Sequence, residues 1–513
     1  MAHSLHAICE WIRGAAPGAE LASDSRRIRR GDVFFAYPGE AADGRRFIGA
    51  AIENGAAAVV YEARDGDGDF VWDDAWTVPH RAVAALKANA GPVAHAYYGK
   101  SHAAMFTVGV TGTNGKTSCA LWTAQALASL GETAAVIGTL GVGLVRDRAA
   151  PEFDTTGYTT PDAVLLAAEL AKLEKAGAGS LAIEVSSIGL VENRTVGMHF
   201  DVALFTNLTR DHLDYHGDMA SYEAAKLQLF EWPGLRTAVV NLDDLAGVRI
   251  VRHLRGKFPQ VAVIGYTLRG EAEQPALEGV AILRASSLRS RPAGAEFLVE
   301  TPQGSMQART RLVGHFNVSN ALAVLGALLA KGVDLRAAVG AIESLVPAPG
   351  RMQQVGGQDA PLVVIDYAHT PDALEKTLEA LRQVARERGG KLWCVFGCGG
   401  DRDPGKRPQM GRIAQMADQV VVTSDNPRSE EPRAIIEQVV AGMDPVGAPW
   451  QAIEDRAAAI LSAVKHAAKP DVILLAGKGH EPYQEIKGRK TPFSDADHAA
   501  LALSARLTMM RTN

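Results

Sequence analysis

Short apolar runs alternate with stretches of helical periodicity along most of the chain. Runs rich in Val, Ile, Leu and Phe predict buried strands at 31–37, 57–61, 105–110, 180–185, 202–205, 237–241, 261–266, 362–366, 391–397, 419–424 and 471–476. Helical spacing predicts helices at 47–55, 116–130, 317–331, 371–388 and 432–443. Strands and helices that alternate in this way are typical of parallel sheets covered on both faces.

Three domains are expected from the breaks in this alternation. Gly99-Lys100-Ser101 indicates a boundary near residue 100, and Pro347-Ala348-Pro349-Gly350 predicts a hinge. Residues 279–313 interrupt the rhythm with two or three antiparallel strands. We therefore predict an α/β protein with a smaller α/β N-terminal domain (1–100), a central parallel-sheet domain (101–343) and a Rossmann-like, doubly wound C-terminal domain (344–513).

Composition narrows the class of protein further. The 513 residues include 53 Lys and Arg against 58 Asp and Glu, a formal charge of −5, which disfavours a general nucleic-acid binder. Only four cysteines are present, which fits a reducing compartment. The longest apolar run is the ten residues 321–330, too short to span a bilayer, and residues 1–14 lack a signal-peptide core. We expect a cytoplasmic protein with no membrane span.

The strongest local signal is the sequence from Gly109 to Ser118, between a predicted strand and a predicted helix. Its glycines allow the main chain to approach phosphate oxygens, Lys116 can reach the β- and γ-phosphates, and Thr117 can ligate Mg²⁺. The loop departs from the general P-loop because Val110 occupies the position of the first glycine. This pattern predicts that the central domain is a P-loop ATPase domain.

Nine motifs in a fixed order extend the signal over nearly the whole chain. They are TGTNGKTS (111–118), EVSS (184–187), NLTRDHLDYHG (207–217), GHFNVSNALA (314–323), GRMQ (350–353), DYAHTPDAL (366–374), FGCGGDRDPGKRPQMG (396–411), DNPR (425–428) and GKGHE (477–481). Together they resemble the Mur ligases of peptidoglycan synthesis, and most closely the members that add diaminopimelate.

The resemblance implies an ATP-dependent acid–amino-acid ligase that forms a carbon–nitrogen bond in cell-wall biogenesis, and so serves cell shape, division and the cell cycle. Its substrates would be UDP-N-acetylmuramoyl-L-alanyl-D-glutamate, meso-2,6-diaminopimelate and ATP, with Mg²⁺ as cofactor. An acyl phosphate would be the intermediate, and the products would be the UDP-linked tripeptide, ADP and phosphate. We expect a monomer without a nucleic-acid partner.

The resemblance also implies a catalytic and metal-binding set. Lys116 would contact the phosphates, while Thr117, Glu184, His212 and Lys226 would hold Mg²⁺, Lys226 as a carbamate. An ammonium cannot bind Mg²⁺, whereas a carbamate offers two oxygens. Without the resemblance, the sequence also allows an ordinary structural interpretation of three of these residues. Glu184 would then be a surface carboxylate, His212 a structural histidine, and Lys226 an exposed lysine on a helix capped by Ser221.

ATP and the UDP-linked substrate are assigned by the same resemblance. ATP would be bound by Gly112, Thr113, Asn114, Gly115, Lys116, Thr117, Ser118, Asn317, Arg351 and Asp366. The UDP-linked substrate would be bound by Ser23, Ser25, Glu40, Ala41, Ala42, Thr159, Thr160, Ser186, Glu192 and Arg194. From the sequence alone, Arg351 also fits an ordinary surface arginine. The chain departs from the family at Ile188, where His is usual, and at Glu192, where Gln is usual, so the role of Glu192 beside an anionic substrate is open.

The acceptor amino acid is expected in the C-terminal domain. Diaminopimelate differs from lysine by a second carboxylate, which a guanidinium can bind bidentately. The resemblance selects Arg402, Asp425, Asn426, Pro427, Arg428, Gly477 and Glu481, with Arg428 as that guanidinium and Glu481 as the partner of the ammonium. Read alone, Asp-Asn-Pro-Arg is a turn at the end of a strand. Cys394 and Cys398 are interpreted as buried small residues.

Three other readings share parts of this pattern. A lysine-adding Mur ligase would lack Arg428. A folylpolyglutamate synthetase would share the ATP module but would not need the N-terminal Asp24-Ser25-Arg26 segment or Asp-Asn-Pro-Arg. A P-loop switch would not need acceptor residues in a third domain.

Overall fold

The computed structural model describes residues 5–39, 42–65, 68–146, 151–270, 277–291, 294–357 and 359–512. The N-terminal part forms a parallel sheet of strand order β1-β2-β3-β6. Its elements are α1 (Leu5–Ala15), β1 (Leu21–Ala22), β2 (Val33–Ala36), α2 (Ile48–Glu53), β3 (Ala58–Glu62), β4 (Arg64–Asp65), β5 (Gly68–Asp69), β6 (His80–Val83) and α3 (Leu86–Tyr97). Both faces of β2 and β3 are buried, as expected for strands covered by helices on either side.

The central part is a mixed sheet of order β10-β9-β8-β11-β7-β12-β13-β14-β15-β16-β17. Its strands are β7 (Phe106–Thr111), β8 (Ala134–Gly138), β9 (Gly141–Val145), β10 (Phe153–Asp154), β11 (Ser180–Glu184), β12 (Val202–Phe205), β13 (Thr237–Asn241), β14 (Ala262–Thr267), β15 (Val280–Arg291), β16 (Gly294–Thr301) and β17 (Gly304–Thr310). Its helices are α4 (Lys116–Ser129), α5 (Ala163–Lys175), α6 (Ser187–Val191), α7 (Leu213–His216), α8 (Met219–Leu227), α9 (Leu245–Lys257), α10 (His315–Lys331) and α11 (Leu335–Glu343). The run from β8 to β15 is parallel, and antiparallel strands extend both ends.

The C-terminal part is a sheet of order β18-β19-β23-β20-β21-β22, parallel except for β18. Its strands are β18 (Gln353–Gly356), β19 (Leu362–Asp366), β20 (Leu392–Phe396), β21 (Gln419–Val422), β22 (Trp450–Ala452) and β23 (Val472–Ala476), followed by the hairpin β24 (Tyr483–Ile486) and β25 (Arg489–Pro492). Its helices are α12 (Pro371–Arg388), α13 (Lys406–Ala414), α14 (Pro432–Val440), α15 (Arg456–His466) and α16 (Asp495–Thr512). The three sheets confirm the predicted α/β class; the exact domain boundaries stay predictions.

Several strands and helices were predicted with the bounds that the structure shows, while other strands and one helix cap were not. Strands β12, β13 and β19 and helix α12 have the predicted bounds. Strands β8 and β9 were missed. The antiparallel strands predicted within 279–313 are confirmed as β15, β16 and β17, and β15 also pairs in parallel with β14, which joins them to the central sheet. The cap assigned to Ser221 was wrong: the Asp218 carboxylate accepts the hydrogen bond of Ser221 N–H at 2.7 Å, so Asp218 caps α8.

The N-terminal and central parts pack tightly through α3 and α5. Val93 of α3 and Val164 of α5 share one hydrophobic core. A Cβ on Gly91 would lie 2.0 Å from the carbonyl oxygen of Val196, so the backbones meet where no other residue fits. Among the described residues, no helix is long and apolar enough to cross a membrane.

Candidate active site

The phosphate loop follows the carboxyl end of β7 and leads into α4. Gly112 has φ +144° and Gly115 has φ +88°, and a Cβ on Gly112 would lie 1.9 Å from the Thr206 hydroxyl. Glycine is therefore required at Gly112 on both conformational and steric grounds. Lys116 folds back over the loop, and its Nζ donates to the carbonyl oxygens of Gly112 at 2.9 Å and Thr113 at 2.8 Å.

The segment after β12 holds this loop in shape. Thr206 Oγ1 donates to the Asn114 carbonyl oxygen at 2.6 Å, and Asn114 N–H donates to Asn207 Oδ1 at 2.9 Å. The Thr113 N–H donates to the Asn207 carbonyl oxygen at 2.8 Å. These bonds pair the hydrogen-bonding groups on the side of the loop that faces residues 206 and 207. The remaining N–H groups of the loop and the N-terminus of α4 can therefore bind an anion.

A cavity of about 700 Å³ lies between the central and C-terminal sheets, within the volume range of small-molecule sites. Predicted residues from both sides of the seam line it: Thr113, Asn114, Gly115, Lys116, Thr117, Ser118, Thr159, Glu184, His212, Asn317, Arg351 and Asp366. The seam is bridged beside the cavity, where Asn114 Nδ2 donates to Asp372 at 3.2 Å and Arg351 Nη2 donates to the Thr117 hydroxyl at 3.0 Å. The structure thus gathers residues from distant motifs into one cleft.

Oxygen ligands suitable for Mg²⁺ lie at this cleft. Glu184 ends β11, is 1% exposed and accepts hydrogen bonds from the N–H and hydroxyl of Thr139 at 2.8 and 3.2 Å. Burial lowers the pKa of Lys116, and the charges of Glu184 and Asp211 oppose that shift. Within the described ranges, no three His, Cys, Asp or Glu side chains form a metal cluster. A carboxylate and a hydroxyl fit Mg²⁺, which takes few protein ligands and completes its shell with phosphates and water.

Lys226 is a buried amine rather than an exposed helix lysine. It is 2% exposed, its Nζ donates to the Gly112 carbonyl oxygen at 2.9 Å, and it lies 4.3 Å from the centre of the Tyr222 ring. Burial, followed by the charge of Lys116, lowers its pKa well below the usual value. A neutral amine is the form that reacts with carbon dioxide to give a carbamate. Lys226 lies beneath the phosphate loop, on the same carbonyl that Lys116 contacts.

His212 lies beside a carboxylate that the two domains share. Asp211 Oδ2 is 3.6 Å from His212 Nε2 and 3.8 Å from Nε2 of His369, which comes from the C-terminal side. Burial and the nearby lysines lower the pKa of His212 to about 4, against the opposing effect of Asp211. The imidazole is therefore neutral near pH 7, the form that ligates metals.

Asn317 and Asp366, the remaining residues predicted to bind ATP, line the same cavity. Asn317 is 5% exposed and its Nδ2 donates to the Val313 carbonyl oxygen at 2.8 Å. Asp366 ends β19 and accepts hydrogen bonds from the N–H groups of Met352 at 2.8 Å and Ala368 at 2.9 Å. Burial raises the pKa of Asp366, while these bonds and the Arg351 guanidinium oppose the shift.

The predicted acceptor residues meet at the carboxyl ends of β21 and β23. Arg428 has φ +51°, and its Nη1 donates to the Gly400 carbonyl oxygen at 2.7 Å. Asn426 Nδ2 donates to Glu481 Oε2 at 2.8 Å, which joins the two loops. The backbone at Gly477 lies close to the Asp425 carboxylate, since a Cβ on Gly477 would lie 2.5 Å from Asp425 Oδ2. Arg402 is exposed, with Nη1 donating to the Asp401 carbonyl oxygen at 2.9 Å.

Two supports of these loops were missed in the sequence. Lys478 is fully buried, and its Nζ lies 3.1 Å from both Asn426 Oδ1 and Glu481 Oε2. Arg456 forms a fully buried ion pair with Asp495 at 2.7 Å and donates to the carbonyl oxygens of the residues that precede Asp425 and Gly477. Lys478 lies within the GKGHE motif, so it could have been chosen as a site residue from the sequence. Arg456 lies in none of the motifs, and the residues around it give no indication that it is buried.

A second cavity, of about 450 Å³, lies where the N-terminal part meets the central part. Of the residues assigned to the UDP-linked substrate, it is lined by Ser23, Ser25, Ala42, Glu192 and Arg194.

Three other assigned residues lie outside that lining. Thr159 faces the larger cavity, while Thr160 Oγ1 donates to the Glu184 carbonyl oxygen at 2.8 Å, and Ser186 Oγ accepts the Gly189 N–H at the start of α6. Glu40 and Ala41 are outside the described residues.

Comparison with known proteins decides the family. Residues 19–95 match the Mur ligase family catalytic domain, 110–328 the Mur ligase middle domain, and 350–479 the Mur ligase glutamate ligase domain. A UDP-N-acetylmuramoyl-L-alanyl-D-glutamate–2,6-diaminopimelate ligase from Janthinobacterium sp. (strain Marseille) is 61% identical, over 98% of both chains. The chain belongs to the Mur ligase family. This Mur ligase is also 52% identical to the ligase of the same name from Ralstonia nicotianae (strain ATCC BAA-1114 / GMI1000), over 99% of this chain and 97% of the relative.

A solved structure agrees with the fold of this Mur ligase. That of a UDP-N-acetylmuramoyl-L-alanyl-D-glutamate–2,6-diaminopimelate ligase superposes with a TM-score of 0.64 at 34% identity, covering 97% of this chain and 99% of that chain.

Proposed function

We propose that this Mur ligase uses ATP to join meso-2,6-diaminopimelate to UDP-N-acetylmuramoyl-L-alanyl-D-glutamate in peptidoglycan synthesis. The observation that carries the proposal is that one chain combines a phosphate loop at the start of α4 in the central part with the Asp425–Arg428 loop, which follows β21 in the C-terminal part and is joined to Glu481. A nucleotide switch would have no use for the second loop. The high identity to relatives named for this reaction supports the choice of acceptor.

The phosphate loop would bind the triphosphate of ATP. Its backbone N–H groups and the start of α4 provide fixed dipoles, and Lys116 provides a charge that now rests on two loop carbonyls. Arg351 reaches across the seam to Thr117, so nucleotide binding would link closure of the C-terminal domain to assembly of the site.

Mg²⁺ would be held by Thr117 and Glu184, with His212 and the carbamate of Lys226 as the further ligands that we propose. When bound, the ion neutralises phosphate charge. For Lys226 the support is its burial and the lowered pKa of its amine, which favour the neutral form.

The chemistry joins a carboxylate to an amine. The terminal carboxylate of the UDP-linked peptide attacks the γ-phosphorus of ATP, ADP leaves, and an acyl phosphate forms. The neutral amine of the acceptor then attacks the acyl carbon, phosphate leaves, and the amine loses a proton. Lys116 and Arg351 stabilise the negative charge that builds up in both steps.

The acceptor would be selected by the C-terminal loops. Arg428 would bind the distal carboxylate of diaminopimelate through two parallel hydrogen bonds. Glu481 would bind the ammonium, in exchange for part of its contact with Lys478. A lysine acceptor would leave the Arg428 guanidinium without its carboxylate, which is costly for a mostly buried charge.

Phosphate release from ATP tests the proposal. The purified enzyme with Mg²⁺ should release phosphate only when both the UDP-linked dipeptide and diaminopimelate are present. Lysine in place of diaminopimelate, or a folate in place of the UDP-linked dipeptide, should support little release. Release without either substrate, or equal rates with lysine, would refute the assignment. We further propose that the protein is cytoplasmic, which its four free and buried cysteines support, and that it is a monomer, which light scattering would test.

A further inference from the structure

Glu192 presents an electrostatic problem at the wall of the N-terminal cavity. It follows α6 and lines the cavity to which we assign the UDP-linked substrate. That substrate carries a diphosphate and carboxylates, so an unpaired carboxylate in the wall would repel it. Only 13% of the Glu192 side chain is exposed, which increases the effect of its charge.

Lys87 pairs with this carboxylate from the other domain. Its Nζ lies 2.7 Å from Glu192 Oε2, and the Tyr215 hydroxyl donates to Oε1 at 2.9 Å. Burial alone would raise the pKa of Glu192, but the bonds from Lys87 and Tyr215 and the charge of Arg194 lower it. Glu192 is therefore ionised near neutral pH, and its charge is matched by that of Lys87.

The position of Lys87 is set by packing and does not depend on the pair alone. Lys87 lies in the first turn of α3, where its N–H donates to Glu62 Oε2 at 3.0 Å. The same helix meets the central part at Gly91, which approaches the Val196 carbonyl too closely for a side chain. Lys87 itself lines the cavity and keeps 34% of its side chain exposed, so its charge is also within reach of a ligand.

The three arginines that line the cavity also have contacts with groups other than Glu192. Arg26 pairs with Asp24 at 2.8 Å, Arg27 Nη2 donates to the Thr156 carbonyl oxygen at 2.9 Å, and Arg194 Nη1 donates to the Thr160 carbonyl oxygen at 3.1 Å. Among the described residues that line the cavity, Lys87 is the cation of the N-terminal part that pairs with Glu192.

We propose that Lys87 is a specificity-determining residue of the cavity, because it cancels the charge of Glu192 and so allows an anionic UDP-linked substrate to bind. This inference rests on the proposed function. It predicts a sign pattern that a structural ion pair would not produce. Loss of Lys87 alone exposes the carboxylate, loss of Glu192 alone leaves a surplus positive charge, and loss of both restores the balance.

Titration calorimetry with UDP-N-acetylmuramoyl-L-alanyl-D-glutamate tests this pattern in the full chain. K87M should weaken binding by about tenfold, and E192Q should tighten it by about twofold to threefold. The double variant K87M/E192Q should bind within about twofold of the parent. The KM values for ATP and diaminopimelate should stay constant in all three variants. K172M, which removes an exposed lysine paired with Glu169, is the matched control and should leave binding unchanged.

The outcomes separate the two proposals. If the parent binds no UDP-linked dipeptide, the proposed function fails. If the parent binds but K87M equals it, or if the double variant is as weak as K87M, the role of Lys87 is refuted. Should K87M fold poorly in a thermal melt, E192Q and the double variant still carry the test, since the first must tighten binding and the second must match the parent.

Discussion

The guanidinium of Arg428 is the group to which we assign the choice of acceptor, and its replacement by alanine tests this assignment. Within the described part of the chain it makes one hydrogen bond, to the Gly400 carbonyl oxygen at 2.7 Å, and its Nε lies 3.7 Å from the Glu485 carboxylate. The other N–H donors are available to a ligand carboxylate. The backbone at φ +51° is equally strained with Arg or Ala, so the substitution changes the side chain alone.

The expected loss follows from the lost hydrogen bonds. A hydrogen bond to a charged group contributes about 1.5–3 kcal/mol, and a bidentate pair has two. Because 22% of the Arg428 side chain is exposed, we discount the sum for solvent screening and expect about 2–4 kcal/mol. This corresponds to a decrease of roughly 30- to 1,000-fold in kcat/KM for diaminopimelate. R428K keeps the charge without the planar fork and should fall between R428A and the parent.

ADP release measures this loss, with ATP and the UDP-linked dipeptide saturating and diaminopimelate varied. Activity with lysine should change far less, so the preference for diaminopimelate should shrink. R433A is the matched control because it removes an arginine of the same domain whose side chain is 86% exposed. If R428A uses diaminopimelate as well as the parent, or if R433A loses as much, the reasoning is wrong.

Three further predictions concern buried groups. R456M should destabilise the C-terminal domain by about 3–5 kcal/mol in urea unfolding because it leaves the Asp495 carboxylate buried and unpaired, and R456M/D495L should recover most of that loss. K226A should lose activity and regain part of it with added short carboxylic acids, which replace the proposed carbamate oxygens; full turnover without them would contradict the carbamate. Burial lowers the pKa of His95 to about 3, so the unfolded chain binds the proton first, and stability should fall by about 3 kcal/mol as the pH drops from 6.5 to 4. In urea titrations at the two pH values, H95F should reduce the fall in stability by about that amount and leave the part that comes from other buried histidines such as His212, and an unchanged fall would contradict the role of His95.

Local signals explain which parts of the fold could be predicted. Helix α12 was bounded correctly because Thr370 caps it, Pro371 starts it, and Gly389 ends it at φ +71°. Strand β8 was missed because its short Ala-rich sequence has no periodicity that separates a strand from a helix. Only its place between β9 and β11 makes it a buried strand.

The sequence by itself determined the phosphate loop, the order of the motifs and the family, because those depend on residue types at fixed spacing. The tertiary structure alone decided the charge state and surroundings of the site residues. Lys226 is buried against Gly112 rather than exposed on its helix, and Glu192 meets Lys87 from another domain. A pKa or an ion pair is set by neighbours that lie far apart in the chain, and no local pattern records which of them will meet.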